Sequence, residues 1–215
     1  MKLSLNKAHF PVSVLGFGQR IGIWTQGCKI HCQSCCSLDT WNFAPDQSIN
    51  IESLMDWCMD ASKGELDGLT ISGGEPFDQP DGLLAFLIAF DVWRKALPRN
   101  IDILIYSGYS SRKIKLNFGE HLRYIDAVVA GPYKESYEKC KPYAGSDNQE
   151  IVLCTALAET RYGLEQLKDW KTGMQMTVDQ QGIWMIGIPR LGDLKLLEDR
   201  CLEHNLVFKD VSWRS

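Results

Sequence analysis

Residues 20–36 read Arg20-Ile21-Gly22-Ile23-Trp24-Thr25-Gln26-Gly27-Cys28-Lys29-Ile30-His31-Cys32-Gln33-Ser34-Cys35-Cys36, and four of the chain's eight cysteines fall within the last nine positions. Arg20 to Thr25 reads as a strand whose end delivers the cysteine loop. Four explanations compete for so many thiols: a disulfide knot, a zinc site, an iron–sulfur cluster, or chance in a cysteine-tolerant core.

Composition removes the first. The chain has 215 residues, 45% hydrophobic and 23% charged, enough to bury a substantial core as one domain without covalent staples. Disulfide frameworks belong to short secreted chains. The opening MKLSLNKAHFPVSVLGFGQR holds no uninterrupted apolar segment of signal-peptide length, and no later stretch reaches the ~18 apolar residues of a spanning helix. The expectation is a reducing cytoplasm, with the cysteines as thiols or metal ligands. With 23 basic and 27 acidic residues the net charge is −4, so the whole-chain pull toward nucleic acid or anionic membranes is absent. The basic run Ser111-Arg112-Lys113-Ile114-Lys115 reads as a solvated face.

Working outward from the loop, strands and helices alternate. Ile51 to about Lys63 has helical spacing of Ile51, Leu54, Met55, Cys58 and Ala61, with Asn50 as a candidate cap. Leu66 to Ser72 reads as a buried strand running into Gly73-Gly74-Glu75-Pro76, and Pro80 to Leu97 as an apolar helix. Ile101 to Tyr106, Ile125 to Val129 and Glu150 to Cys154 read as further strands. Repeated strand–loop–helix units imply a parallel sheet covered by helices. Ala156 to Trp170 reads as a helix, Met174 to Val178 and Gly182 to Ile188 as a hairpin across Asp179-Gln180-Gln181-Gly182, and Asp193 to His204 as a closing helix. The cysteine loop, the Gly-Gly-Glu-Pro turn, Ser107-Gly108-Tyr109 and Gly131-Pro132 all follow strand C-terminal ends. They are therefore expected on one rim, where ligands of parallel sheets bind.

Cys28, Cys32 and Cys35 form C-x3-C-x2-C. Structural zinc usually takes two separated ligand pairs, and no second pair exists here, although His31, Cys36 or Cys58 could be recruited. Three thiolates on one tight loop suit three irons of a 4Fe–4S cluster and leave the fourth open for chemistry. Cys58, Cys154 and Cys201, on apolar stretches, read as buried thiols, and Cys140 as an exposed one.

The pattern resembles the radical S-adenosylmethionine enzymes, and within them the activating proteins of anaerobic ribonucleotide reductase and other glycyl-radical enzymes. The resemblance rests on Gly27 to Cys35 followed by Thr40-Trp41-Asn42, on Ser72-Gly73-Gly74-Glu75-Pro76, on Tyr106-Ser107-Gly108-Tyr109, on Val129-Ala130-Gly131, and on Gly145-Ser146-Asp147-Asn148-Gln149. It implies an α/β fold, a partial (βα) barrel over residues 1–155; the change of character after it reads as an α+β extension over 156–215 packed on the same domain. It implies Cys28, Cys32 and Cys35 as cluster ligands, and Ser34, Cys36, Gly73, Gly74, Glu75 and Ser107 as contacts of S-adenosylmethionine. The implied activity is reductive cleavage of that cofactor to a 5′-deoxyadenosyl radical, which abstracts hydrogen from a substrate. The implied partners are a glycyl-radical enzyme and a flavodoxin or ferredoxin-type electron donor. A small molecule such as a modified-nucleotide precursor, or a ribosomal peptide, is the alternative substrate. A non-catalytic iron–sulfur module is a third reading, against which the retained Gly-Gly-Glu-Pro turn speaks. Two positions depart from the pattern: Cys36 stands where an aromatic residue is common, and Ala130 where an Asp is. About sixty residues also follow the last matching segment. There, Trp184, Ile186 and Ile188 read as core strand residues, with a partner surface as the alternative.

Overall fold

A computed structural model describes residues 1–137, 141–167, 173–179 and 182–214. In chain order the elements are β1 (Lys2–Val12), β2 (Arg20–Thr25), β3 (Ser48–Asn50), α1 (Ile51–Ser62), β4 (Gly68–Gly73), α2 (Pro80–Ala96), β5 (Asp102–Ser107), α3 (Ser111–Asn117), α4 (Gly119–Leu122), β6 (Ala127–Ala130) and β7 (Glu150–Leu153). After these come α5 (Ala156–Tyr162), α6 (Leu164–Leu167), β8 (Met174–Asp179), β9 (Gly182–Gly187) and α7 (Asp193–Glu203).

Seven strands form one sheet in the order β3-β1-β2-β4-β5-β6-β7. Its centre, β2-β4-β5-β6, is parallel, because helical crossovers link β2 to β4, β4 to β5 and β5 to β6. The α/β class is as expected. The described strands close no barrel: β3 and β7 are separate edges of an open sheet. Two further expectations change. An eleven-residue strand, β1, precedes the cysteine-bearing strand and pairs antiparallel with it. Among the described residues no helix separates β6 from β7, and β7 returns antiparallel rather than extending the parallel run.

The central strands are buried on both faces, which explains their continuous apolar runs. On one face Ile21, Ile23, Leu69, Ile71, Ile103 and Ile105 meet Leu54, Met55 and Cys58 of α1 and Leu83, Phe86, Leu87 and Phe90 of α2. On the other, Leu104, Ala127 and Val129 meet Tyr143, Ala158 and Tyr162. Asn50 occupies the N-cap of α1 but its side chain caps nothing, and Lys63 in a left-handed conformation ends that helix. The expected helix from Ala156 breaks at Gly163 into α5 and α6, and residues 168–170 lie outside those described. The hairpin is present with its turn residues 180–181 outside the described set. Ile186 is 1% exposed against Val12 and Leu15, and Trp184 and Ile188 pack on the same cluster, so these three are core residues.

At the N-terminal ends of the strands a polar network is fully enclosed. Arg20 donates to Thr70 Oγ1, to the carbonyls of Phe17 and Leu69, and through both terminal nitrogens to Asp102 at 2.7 and 3.0 Å. Arg161 and the Tyr162 hydroxyl also donate to Asp102.

Candidate active site

The opposite ends of the same strands carry the cysteine loop. β2 stops at Thr25, and Gly27 (φ +101°) turns the chain so that Gly27 N and Cys28 N donate to the carbonyls of Thr40 and Trp41. These backbone bonds close the loop on itself, and Thr40 Oγ1 adds a bond to Ser37 O at 2.7 Å. His31 stacks on Trp41 with ring centroids 4.4 Å apart. His31 and Ser34 both have positive φ, a conformation non-glycine residues seldom adopt, so the loop path is tightly dictated. Asp78 Oδ2 accepts from Lys29 N at 2.7 Å, and its other oxygen accepts from the Tyr109 hydroxyl.

The Gly-Gly-Glu-Pro turn docks directly on this loop. Gly74 N donates to Thr25 O and Glu75 N to Gly27 O. A Cβ on Gly74 would sit 2.2 Å from Gly27 O, and one on Gly73 2.5 Å from Thr25 N. Both glycines are therefore demanded by the contact between the two loops, whatever ligand approaches them.

Cys28 is 8% exposed, Cys32 and Cys35 are half-buried, and all three border one cavity of about 590 Å³. Ser34, Cys36, Gly73, Gly74, Glu75 and Ser107 border it as well, so the nine candidate residues share one space. Burial pushes the Cys28 and Cys32 thiols up. Backbone N–H groups of Ile30 and Ser37 lie 3.4 Å from Cys28 Sγ and Cys35 Sγ, donors that suit thiolates carrying metal. Among the described residues no three His, Cys, Asp or Glu side chains gather closely enough to hold one metal ion. Three thiols on one loop bordering a common cavity fit a cluster, whose irons each take one thiolate.

Glu75 is 0% exposed. Its carboxylate accepts from Phe77 N (3.0 Å), Ser107 Oγ (2.9 and 3.0 Å) and Gly108 N (2.8 Å). Burial pushes its carboxyl up to about 7 despite these three donors. Ser107 Oγ in turn accepts from Tyr109 N, so Glu75 and Ser107 tie the turn after β4 to the turn after β5. Ser34 Oγ donates to Glu135 at 2.9 Å. The Gly145–Gln149 segment is a clamp: Gln149 Oε1 accepts from Gly145 N and Ser146 N, while its amide donates to Gly131 O at the end of β6. Cys36 is exposed and its carbonyl accepts from Ser212 Oγ.

Outside the loop, Cys58 is buried as expected and its thiol is pushed up to about 12 by burial. Cys154 is exposed, because β7 ends one residue before it, and Cys201 is half-buried. Cys140 lies outside the described residues. Two features of the site were not anticipated. Asp78 holds the loop between the first two cysteines. The far wall of the cavity comes from Gly187–Gly192, Leu194, Lys195, Glu198 and Trp213–Arg214. Asp78 stood in plain sight three residues after Glu75, whereas nothing local in the sequence marks the far wall.

Residues 14–152 match the family described as 4Fe-4S single cluster domain. The anaerobic ribonucleoside-triphosphate reductase-activating protein of Enterobacteria phage T4 is 31% identical over 139 residues, covering 64% of this chain and 86% of the phage protein. The pyruvate formate-lyase-activating enzyme of Streptococcus mutans is 27% identical over 148 residues, 66% of this chain but 55% of that enzyme. Among solved structures, QueE from Escherichia coli aligns over 96% of this chain at 14% identity and a TM-score of 0.43. The class is thus that of the radical S-adenosylmethionine enzymes, which work with a 4Fe–4S cluster and S-adenosylmethionine. Within it the chain belongs to the 4Fe-4S single cluster domain family.

Proposed function

We propose that the chain is an activating enzyme that places a radical on a glycine of an anaerobic partner enzyme. The observation that carries this reading is that the cysteine loop and the Gly-Gly-Glu-Pro turn, the two motifs shared with such activases, border one cavity. In it, Cys28, Cys32 and Cys35 would hold three irons of the cluster. The bound cluster and cofactor would supply one-electron cleavage of the sulfonium and hydrogen-atom abstraction from the substrate. The chain's own residues bind and orient. Phe77 N, Ser107 Oγ and Gly108 N together make two contacts to each oxygen of the buried Glu75 carboxylate, so Glu75 would fix the turn and set its carboxylate beside the ammonium of the cofactor. The backbone at Gly73 and Gly74 and the side chains of Ser34, Cys36 and Ser107 line the rest of its path. The electron comes from a flavodoxin or ferredoxin-type donor. A reducing cytoplasm suits the reading, because cluster ligation needs Cys28, Cys32 and Cys35 reduced, and no described helix is long and apolar enough to cross a membrane.

Anaerobic reconstitution with iron and sulfide, followed by dithionite and S-adenosylmethionine, tests the chemistry. Release of 5′-deoxyadenosine is expected, and none from a fully loaded cluster overturns the reading. The glycyl claim is tested by incubating the loaded chain with a glycyl-radical enzyme, should one be encoded beside it, on which a glycyl radical signal is expected. A second reading, a small-molecule or ribosomal-peptide substrate, is favoured by the C-terminal residues that wall the cavity. A short precursor peptide gene next door, in place of a glycyl-radical enzyme, would decide for the peptide.

A further inference from the structure

The family match ends at residue 152, yet the chain beyond it furnishes one whole side of the cavity. Two anchors hold that side in place. The first is the hairpin: Trp184 meets Trp24 and His9 edge-on at 5.0 and 5.3 Å, and Ile186 fills the gap against Val12 and Leu15. From it Gly187 (φ +134°) turns the chain over the cavity, where a Cβ would strike Gly173 O at 2.6 Å. The second anchor is the tail after α7, which returns to the cysteine loop. Ser212 O accepts from Leu38 N at 2.8 Å, and Ser212 Oγ donates to Cys36 O at 3.0 Å.

These bonds deliver Trp213 to the site. Its indole N–H donates to Glu198 Oε1 at 2.6 Å, Phe208 meets its ring edge-on, and Arg214 pairs with the same carboxylate at 3.4 Å. A second cavity of about 90 Å³ lies on the other side, with Asn6, Lys7, Asp39 and Trp184 in its wall. Trp213 borders both spaces, together with Trp24, Cys36, Ser37, Thr40, Gly187, Pro189 and Leu194. These residues form the partition, and Trp213 is the largest of them that comes from outside the sheet.

We propose that Trp213 is a specificity-determining residue: delivered by the C-terminal tail, its indole separates the cofactor and substrate space from the neighbouring pocket and limits the bulk that reaches the cluster. This rests on the reading of the larger cavity as the cofactor and substrate site. A space of about 590 Å³ lies within the ~300–1,000 Å³ range of small-molecule pockets. Beside S-adenosylmethionine it admits an extended peptide segment or a small molecule, not a folded surface.

The test uses full-length protein reconstituted with its cluster and two iron chelators of the same bidentate nitrogen chemistry, 2,2′-bipyridine and the far bulkier bathophenanthroline disulfonate. Wild type should lose iron much faster to the small chelator. In Trp213→Ala the ratio of the two rates should narrow at least fivefold at unchanged iron content, and Trp213→Phe should restore most of it, a rescue a general loosening would not show. Cleavage of S-adenosylmethionine without substrate should rise severalfold in Trp213→Ala as water and reductant gain access. A loaded Trp213→Ala with the wild-type ratio overturns the proposal. If that variant fails to load, Glu198→Ala frees the indole without removing it, and the same ratio decides. A wild-type chain that takes up no cluster overturns the reading of the site instead.

Discussion

Two carboxylates, both 0% exposed, sit at opposite ends of the strand pair β4–β5, and the protein treats them oppositely. Asp102 opens β5; Glu75 follows β4 and is bonded to Ser107, the last residue of β5, five residues and about 17 Å along the strand. Burial alone would raise Asp102, but Arg20, Tyr162 and Arg161 outweigh it and hold the carboxyl below its ordinary range. Glu75 accepts only from neutral groups, so burial prevails and its carboxyl rises to about 7. One end of the sheet has its charges completed by the protein. The other keeps a buried acid that carries no ion pair among the described residues, beside three thiols facing a cavity. That asymmetry separates an end built for stability from one built to receive ligands.

The comparison is broken most severely by Asp102→Ala. It strands the buried Arg20 guanidinium and the Tyr162 hydroxyl and removes a partner of the partly buried Arg161, and the expected loss is about 3–5 kcal/mol in urea unfolding of the cluster-free protein. Activity per folded, loaded molecule should not change, because no atom of this network borders the cysteine loop.

The next effect is one of pH, and the two acids have opposite signs. Asp102 has a depressed folded value, so its contribution is present above the ordinary carboxylate range and is lost as pH falls through it. Glu75 has a raised one. Between pH ~4.5 and ~7 the folded state holds a proton that the unfolded state has released, so stability falls as pH rises across that window and levels off above it. At about 1.4 kcal/mol per pKa unit the fall is at most about 3 kcal/mol. Unfolding midpoints of wild type and Glu75→Gln, compared from pH 5 to 8, should diverge by this amount, the wild type losing ground toward pH 8. Parallel curves would mean that the three donors, not burial, set the state of Glu75.

How far these ends could be read in advance differs for the same physical reason. The cysteine loop and the glycine turn were legible because ligand spacing and close backbone approach impose residue types locally: Cys28, Cys32 and Cys35 within eight positions, Gly73 and Gly74 pressed on the loop. The four parallel strands were legible from their unbroken apolar runs. β1 was not, because Lys7, His9 and Pro11 interrupt its pattern and its pairing comes from β2 and β3. Glu75 was read as a ligand contact, and its ties to Ser107 and Gly108 depend on two strands meeting. The far wall depends on Ser212 reaching Cys36, 176 residues away, which no local pattern encodes.

The smallest effects sharpen the comparison within the cysteines themselves. Cys32 is half-buried and Cys154 exposed, so neither thiol contributes much packing, and Cys32→Ala should change the stability of the cluster-free protein by less than about 1 kcal/mol. Its consequence lies in iron: after reconstitution the variant should stay colourless and release no 5′-deoxyadenosine. Cys154→Ser replaces a thiol that follows β7 and borders no part of the cavity. Its stability should stay within about 0.5 kcal/mol of wild type, with full iron and sulfide content. Loss of iron from Cys154→Ser, or brown colour kept by Cys32→Ala, would move the ligand set away from the rim and dissolve the distinction between the two ends of the sheet.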